Sequence, residues 1–137
     1  MNAHFALLSV VFLFLLSQHV HAEETTASRQ LDTFARLSGI RPNTANGREF
    51  FLTRHGREWS CASCHTADPT SQGKHAQTGD TILPMAPVAN ASRFTDATKS
   101  EKWFRRNCND VMGRECTPEE KADVMAWLIS LGNDSRR

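Results

Sequence analysis

The sequence predicts a small all-α protein, for three reasons. Its 137 residues are enough for one small domain at most. Apolar residues recur at helical spacing in several short segments, whereas no segment of useful length alternates apolar and polar residues as a strand does. The last helical segment also carries a full start signal, with Thr117 as N-cap, Pro118 in the first turn and Glu120 completing a capping box.

The predicted helices begin with a segment that follows a short polar stretch. Leu31, Phe34 and Leu37 recur with the period of a helix, and Gly39 followed by Pro42 ends it. This segment supplies the first helix of the domain.

Three further segments complete the predicted chain. A second short helix ends on the apolar run 50–52, and a third covers residues 99–106. The stretch 66–87 between them is rich in Gly, Pro, Ser, Thr and Asp, and we interpret it as a loop. We expect the last helix to end at Gly132.

The N-terminal segment predicts export. The apolar run from Phe5 to Leu16 is too short to cross a bilayer as a helix, which needs roughly 20 residues. Small and aliphatic residues at Val20-His21-Ala22 suit a signal peptidase, so we expect residues 1–22 to be a signal peptide and residues 23–137 the mature domain. No Lys or Arg precedes the apolar run, which leaves an uncleaved anchor as the alternative.

Charge and cysteine content agree with an exported protein. A formal net charge of +1 gives no argument for a nucleic-acid partner. Four cysteines suit an exported chain, because disulfides are normal outside the cytosol and rare within it. We expect a periplasmic protein.

Five consecutive residues, Cys61-Ala62-Ser63-Cys64-His65, form a C-x-x-C-H run, the attachment signature of c-type haem. The two thiols can each bond one vinyl group of the same porphyrin, and His65 then lies under the ring as the proximal axial ligand. The sequence thus predicts one covalently attached haem c. The order of the helices around the motif looks like a class I cytochrome c, in which the terminal helices cross and clamp the haem.

Two other uses of the cysteine pair fit the sequence less well. A dithiol redox pair calls for a thioredoxin-like βαβ context, and the sequence shows no strand pattern. A zinc site calls for two more ligands at suitable spacing, which Cys108 and Cys116 do not provide as a second C-x-x-C. Haem attachment is the interpretation that motif and compartment share.

The residues alone leave the sixth iron ligand open. Met85 lies in a Pro-flanked loop of the kind that carries such a ligand, and with it the protein would be a conventional His/Met electron-transfer cytochrome. Met112 and His75 are further candidates. Met125 is expected to be core packing, and His55 a surface residue or one near a propionate.

The segment from Cys108 to Cys116 is bounded by the second pair of cysteines. If the two cysteines pair, they hold a short loop rigidly and stabilise the fold by roughly 2–4 kcal/mol. The pair is then either an ordinary structural staple or a device that positions something in the loop.

Most of the chain, over residues 47–131, resembles the sphaeroides haem protein (SHP) family of cytochromes c. The resemblance is most specific in the Asn-Cys-Asn and Cys-Thr-Pro segments around the second cysteine pair. The matching runs are Arg93-Phe-Thr-Asp, Glu101-Lys-Trp, Arg106-Asn-Cys-Asn, Gly113-Arg-Glu-Cys-Thr-Pro and Glu120-Lys-Ala-Asp.

The resemblance implies a class I-like monohaem fold with His65 as the proximal ligand. It implies that the side chain of Asn107 is the distal ligand, beside a Cys108–Cys116 disulfide, with Asn109 as the alternative. It further implies O₂, NO or CO as small ligands of the reduced protein and dihaem or membrane cytochromes as redox partners of a monomer. Electron transfer and gas binding are expected rather than a dedicated catalytic activity.

An asparagine ligand has a chemical consequence. A carboxamide oxygen is a hard, weak donor that suits Fe(III) better than Fe(II). We expect Asn107 to bind the oxidised iron and to leave it on reduction, which opens the iron to O₂ or NO. A set of cations near this segment is either a docking face or an ordinary solvated helix face, and comprises Lys99, Lys102, Arg105, Arg106 and Arg114.

Overall fold

The computed structural model describes residues 25–134, so the expected signal peptide lies outside the described residues. The all-α prediction is confirmed, because five helices and one small strand pair make up the described elements. Their order is α1 (Ala27–Ser38), α2 (Thr44–Leu52), α3 (Ala62–His65), β1 (Gly73–Lys74), β2 (Thr81–Ile82), α4 (Ala97–Met112) and α5 (Pro118–Asp134). In this part of the chain, no helix combines the length and apolar character needed to cross a membrane.

Side-chain caps begin the helices where the sequence provides them. Thr26 accepts a hydrogen bond from the backbone N–H of Arg29 at the start of α1, and Gly39 ends that helix with φ of 69°. At α5 the capping box forms in both directions. The Thr117 backbone N–H donates to Glu120 at 2.8 Å, and the Glu120 backbone N–H donates to the Thr117 hydroxyl at 3.2 Å.

The prediction that Gly132 ends the last helix is wrong, since α5 continues to Asp134. The glycine is used for packing instead. A Cβ at this position would lie 3.3 Å from the Cβ of Val88. The missing side chain lets the loop that carries Val88 approach the helix closely, at a cost of about 1 kcal/mol in helix propensity.

Helix α4 is longer than the sequence predicts. It begins where the Asp96 side chain accepts a hydrogen bond from the Lys99 N–H, and it ends at Gly113 with φ of 74°. Asn107 and Cys108 therefore lie on the helix and not in a loop. The polar composition of this stretch concealed the helix, because Asn and Asp are weak helix formers and the cap and tertiary contacts outweigh that preference.

The core is built on α5, against which α1 and α2 pack closely. Gly47 of α2 allows backbone contact, since a Cβ there would stand 1.9 Å from the carbonyl oxygen of Asp123. The Asp123 carboxylate also accepts the N–H of Asn43 at 2.7 Å, just before α2 begins. The buried residues of this core are Phe34, Phe51, Phe94, Ala122, Val124, Met125, Trp127 and Leu128, named below the core cluster.

The predicted loop 66–87 contains a small antiparallel strand pair. Gly73 pairs with Ile82, and Lys74 pairs with Thr81. These two strands turn the chain back across α3, which carries part of the C-x-x-C-H motif. The loop is therefore ordered by backbone pairing that composition alone does not indicate.

Candidate haem site

The C-x-x-C-H motif forms one tight helical turn. The backbone N–H groups of Cys64 and His65 both donate to the carbonyl oxygen of Cys61, at 3.3 Å and 3.0 Å. The Ser63 hydroxyl accepts from the Ser60 N–H at 3.0 Å and closes the start of the turn. Cys61 and Cys64, three residues apart on this turn, are neighbours on its surface, and both are free and half-buried.

The backbone turns sharply after the histidine. Thr66 has φ of 62° and ψ of 164°, a conformation that residues with side chains rarely adopt and that costs of order 1–3 kcal/mol. Its hydroxyl donates to the carbonyl oxygen of Asp68 at 2.5 Å. The Asp68 carboxylate in turn accepts hydrogen bonds from Thr70 and Ser71, and the bonds from Thr70 hold the pKa of this carboxyl below its usual range.

The strand pair lies directly on the backbone of the motif. A Cβ at Gly73 would stand 2.0 Å from the carbonyl oxygen of Cys64 and 3.0 Å from the Cα of His65. The Ala76 N–H points at the sulfur of Cys64, 3.3 Å away. In the sequence Gly73 is only one of several residues that indicate a loop, but in the structure its missing side chain lets the strand pair pack against the motif.

Both the histidine and the first cysteine of the motif are uncharged at neutral pH. Burial lowers the pKa of His65 to about 4, and the nearby charge of Arg93 adds to this effect. Burial raises the pKa of the Cys61 thiol to about 12. A neutral imidazole and a neutral thiol beside the core cluster suit a large apolar group better than a hydrated ion.

The residues present fit a covalently attached haem. The Nδ1 atom of His65 is buried and has no hydrogen-bond partner among residues 25–134. Buried polar atoms normally have such a partner, so the described chain by itself does not satisfy this imidazole. Its ring lies 6.2 Å from that of Phe51 in the core cluster, against which Cys61 also packs. Cys61 and Cys64 would hold the haem through thioether bonds and His65 would bind its iron.

Met85 lies against the same core cluster as Cys61 and is half-buried. Its backbone N–H donates to the carbonyl oxygen of Pro69 at 2.9 Å, as does that of Ala86. Arg93 fastens the loop further, since its guanidinium donates to the carbonyl oxygen of Pro84 at 2.8 Å. Met85 and Cys61 of the motif therefore both border the core cluster.

The two asparagines of α4 differ in their surroundings. Asn107 is half-buried, whereas Asn109 is exposed. Within the described part of the chain, the carboxamide of Asn107 makes no hydrogen bond and is available to another partner. Cys108, the next residue, forms a disulfide with Cys116, and their Cα atoms are 5.5 Å apart.

The other candidates from the sequence have contacts of their own. The sulfur of Met112 lies 3.7 Å from that of Cys116, against the disulfide. His75 accepts the N–H groups of Gln77 and Thr78 through Nδ1, each at 3.3 Å. Met125 is fully buried in the core cluster.

His55 is also engaged locally. Its Nε2 lies 2.8 Å from the carbonyl oxygen of Phe50, and its ring packs on the Phe50 ring at 4.3 Å. These contacts give the histidine a role in closing the end of α2.

Comparison with known proteins places this geometry in a family. Residues 38–128 match a family model described as "Domain of unknown function (DUF1924)". Cytochrome c″ of Methylophilus methylotrophus is 38% identical, over 88% of this chain and 90% of its own. The cytochrome c-type protein SHP of Cereibacter sphaeroides is 42% identical, over 80% of this chain and 87% of its own.

Solved structures agree with the sequence relatives. Oxidised SHP, described as an oxygen-binding cytochrome c, superposes with a TM-score of 0.73 at 42% identity, over 77% of this chain and 96% of that one. The solution structure of Methylophilus methylotrophus cytochrome c″, described as giving insight into haem-ligand detachment, has a TM-score of 0.67 at 36% identity and covers 77% of this chain and 94% of that one. The chain belongs to the SHP family and is a monohaem cytochrome c.

Proposed function

We propose that this cytochrome exchanges electrons and binds small gas molecules, with His65 and Asn107 on the oxidised iron and Asn107 released on reduction. A bound haem supplies an iron that takes up one electron and, when reduced with one position open, binds O₂ or NO. The observation that carries the proposal is the half-buried carboxamide of Asn107 beside the disulfide. This carboxamide forms no hydrogen bond with any residue of the range 25–134.

The chemistry of the side chain explains a detachable ligand. A carboxamide oxygen is a hard and weak donor, so it favours Fe(III) and loses its advantage on Fe(II). The half-buried Asn107 suits this role better than the exposed Asn109. Two relatives support the proposal, since SHP is described as oxygen-binding and cytochrome c″ is described in terms of haem-ligand detachment.

The surroundings of Asn107 limit how it can move. Three residues before it, the Phe104 ring packs 5.8 Å from that of Phe34 and 6.2 Å from that of Phe94. One residue after it, Cys108 is bonded to Cys116. With both sides anchored, the carboxamide leaves by rotation of its own side chain and stays close enough for its NH₂ group to donate to a small ligand.

The cellular setting is part of the proposal. Export by an N-terminal signal peptide would place the protein in the periplasm, where dihaem or membrane cytochromes would be its redox partners. Electron exchange and gas binding are proposed rather than a dedicated catalytic reaction.

A conventional His/Met cytochrome is the second candidate, and one observation favours it. Met85 is half-buried against the core cluster, and its loop is fastened to Pro69 and Arg93. A methionine opposite His65 would make a simple electron carrier with a raised potential.

Visible spectra of the purified protein in both oxidation states, with and without CO, separate the two candidates. We expect no methionine–iron charge-transfer band in the oxidised protein and a CO adduct in the reduced protein. A methionine band would overturn the asparagine ligand in favour of Met85. A reduced protein that stays low-spin and does not bind CO would contradict the open site.

A further inference from the structure

The exposed side of α4 carries a row of cations without counter-ions. These cations are Lys99, Lys102, Arg105 and Arg106. Among the residues the structure describes, none of their side chains forms an ion pair or a hydrogen bond. Between them stands Trp103, which is 42% exposed. We name this surface the α4 basic face, and it comprises Lys99, Lys102, Trp103, Arg105 and Arg106.

The acidic residue best placed to pair with Arg105 is bound to another residue. Glu101 stands four residues before Arg105, a spacing and order that favour an ion pair on a helix. Its carboxylate instead pairs with the Nζ of Lys121 at 2.5 Å. The side chain of Lys121 is only 7% exposed and needs a counter-charge, because an unpaired buried ammonium is strongly unfavourable. Arg105 therefore forms no ion pair with Glu101.

A second cation is held in a different way. The guanidinium of Arg106 lies over the Trp103 ring, 5.4 Å from its centre. It does not pair with Asp110, four residues further along the exposed helix surface. Trp and Arg are among the residue types enriched at the hot spots of protein interfaces.

A shallow, open depression lies at the start of the α4 basic face. It is lined by Ala97, Thr98, Glu101, Lys102 and Arg105. Its two cations can bind a carboxylate side chain from another protein, since the Glu101 carboxylate in the same lining is paired with Lys121.

We propose that the α4 basic face docks an electron-donor protein whose surface is acidic around its own redox group. The proposal rests on the electron exchange proposed above and names the chemistry of the partner. Asn107 follows Arg106 on the same helix and lies one turn beyond Trp103, so the docked donor is next to the distal ligand. The donor would lose one electron, and the haem held by Cys61, Cys64 and His65 would take it up.

Other polyanions fit this surface less well. A net charge of +1 gives little long-range attraction to nucleic acid, whose binding depends on many phosphate contacts. Trp103 is the one large apolar side chain among the exposed residues of the described α4, whereas a membrane-bound helix presents an apolar face. A local cluster of cations around an aromatic residue is matched best by a protein with a local acidic cluster.

Charge reversal on the holoprotein tests the proposal. The probe is a reduced flavodoxin, a small acidic electron donor, mixed with the oxidised cytochrome at several salt concentrations. Lys102→Glu and Arg105→Glu should each slow the reduction roughly tenfold at low salt and flatten its salt dependence. The matched control is Arg48→Glu, an exposed arginine on α2 with the same change in net charge.

Binding is followed separately by NMR, as shifts of backbone amide signals when flavodoxin is added. Shifts concentrated in residues 99–106 support the docking face. The proposal is overturned if the reduction of all three variants by flavodoxin slows equally, or if the reduction of none of them slows. It is also overturned if the charge reversals affect only the binding of the protein to phosphatidylglycerol vesicles or duplex DNA. Oxidised and CO spectra of each variant report on the ligand of the iron, so failure of the Asn107 proposal is seen independently of the docking result.

Discussion

The α-carbon of Gly73 faces the carbonyl oxygen of Cys64 so closely that a Cβ on residue 73 would stand 2.0 Å from that oxygen. The atom that this Cβ would meet belongs to the backbone, which cannot rotate away as the end of a flexible side chain can. The close approach fixes the turn that carries both thiols and the histidine. We therefore expect haem attachment to depend on Gly73, although this residue has no chemical role of its own.

Gly73→Ala should destabilise the protein by about 3 kcal/mol or more, because the clash forces the strand pair away from the motif. We expect a lower ratio of haem to protein, measured on purified material by absorbance after denaturation, together with a lower melting temperature. Gly79→Ala is the control in the same loop. Its φ of 75° makes alanine unfavourable by about 1–2 kcal/mol, but its Cβ would meet only the end of Lys74 at 3.5 Å. Equal haem content in both variants would contradict the backing role of Gly73.

Asn107→Ala should remove the native ligand of the oxidised iron. Without an internal competitor, the affinity of the oxidised protein for added imidazole should rise roughly tenfold or more, as read from the visible spectrum. Asn109→Ala, two residues away on the exposed side of α4, should leave both the spectrum and the imidazole affinity unchanged. The reverse pattern would assign the ligand to Asn109. An unchanged spectrum in both variants would leave neither asparagine as the ligand.

The features that the sequence predicted are those with short-range causes. The C-x-x-C-H run is a chemical signature within five residues, and the capping box of Thr117 and Glu120 is complete within four. The end of α1 at Gly39 is equally local, since it needs only one residue with positive φ.

The features it missed depend on residues far apart in the chain. Helix α4 continues through Asn107, although its local composition is that of a loop, and a disulfide to Cys116 spans its end. Helix α5 continues past Gly132, where Val88 of a distant loop lies close to the glycine. The backbone of Thr66 is held in a rare conformation that its own sequence would never suggest.

Glu120→Gln should weaken the fold in a pH-dependent way. Burial acts to raise the pKa of Glu120, but the hydrogen bonds from Arg114 and Thr117 and the Arg114 charge outweigh it, so the pKa lies below its usual value of 4.5. A group whose pKa is lowered by folding stabilises the protein above its unfolded pKa and loses that effect as the pH falls through the folded value.

At pH 7 the loss should be about 1 kcal/mol in the free energy of unfolding, and it should shrink as the pH falls through the lowered pKa of Glu120 in the folded protein. Urea titrations of the variant and the parent at each pH measure it. Glu119→Gln is the control, because Glu119 lies in the same first turn without a side-chain hydrogen bond to another described residue. A loss that stays constant from pH 7 to pH 3 would show that the Glu120 charge is not responsible.

The buried Lys121 gives a prediction in which two changes together cost less than one. Its Nζ lies 5.3 Å from the centre of the Phe34 ring and 6.0 Å from that of Phe104, and its counter-ion is the half-exposed Glu101. Glu101→Gln leaves the ammonium without a counter-charge among aromatic rings. We expect a loss of about 1–3 kcal/mol in the free energy of unfolding, toward the lower end because the carboxylate is partly solvated.

Adding Lys121→Met should recover most of that loss, because methionine keeps the length of the side chain and removes the charge that needs a partner. Urea unfolding of the two single variants and the double variant measures the coupling between the residues. The same variants also test how α4 is held, because Phe104 and Glu101 both hold this helix to the core. Asn107 lies one turn beyond Phe104 on this helix. If the losses of the two single variants simply add in the double variant, Glu101 and Lys121 are not coupled.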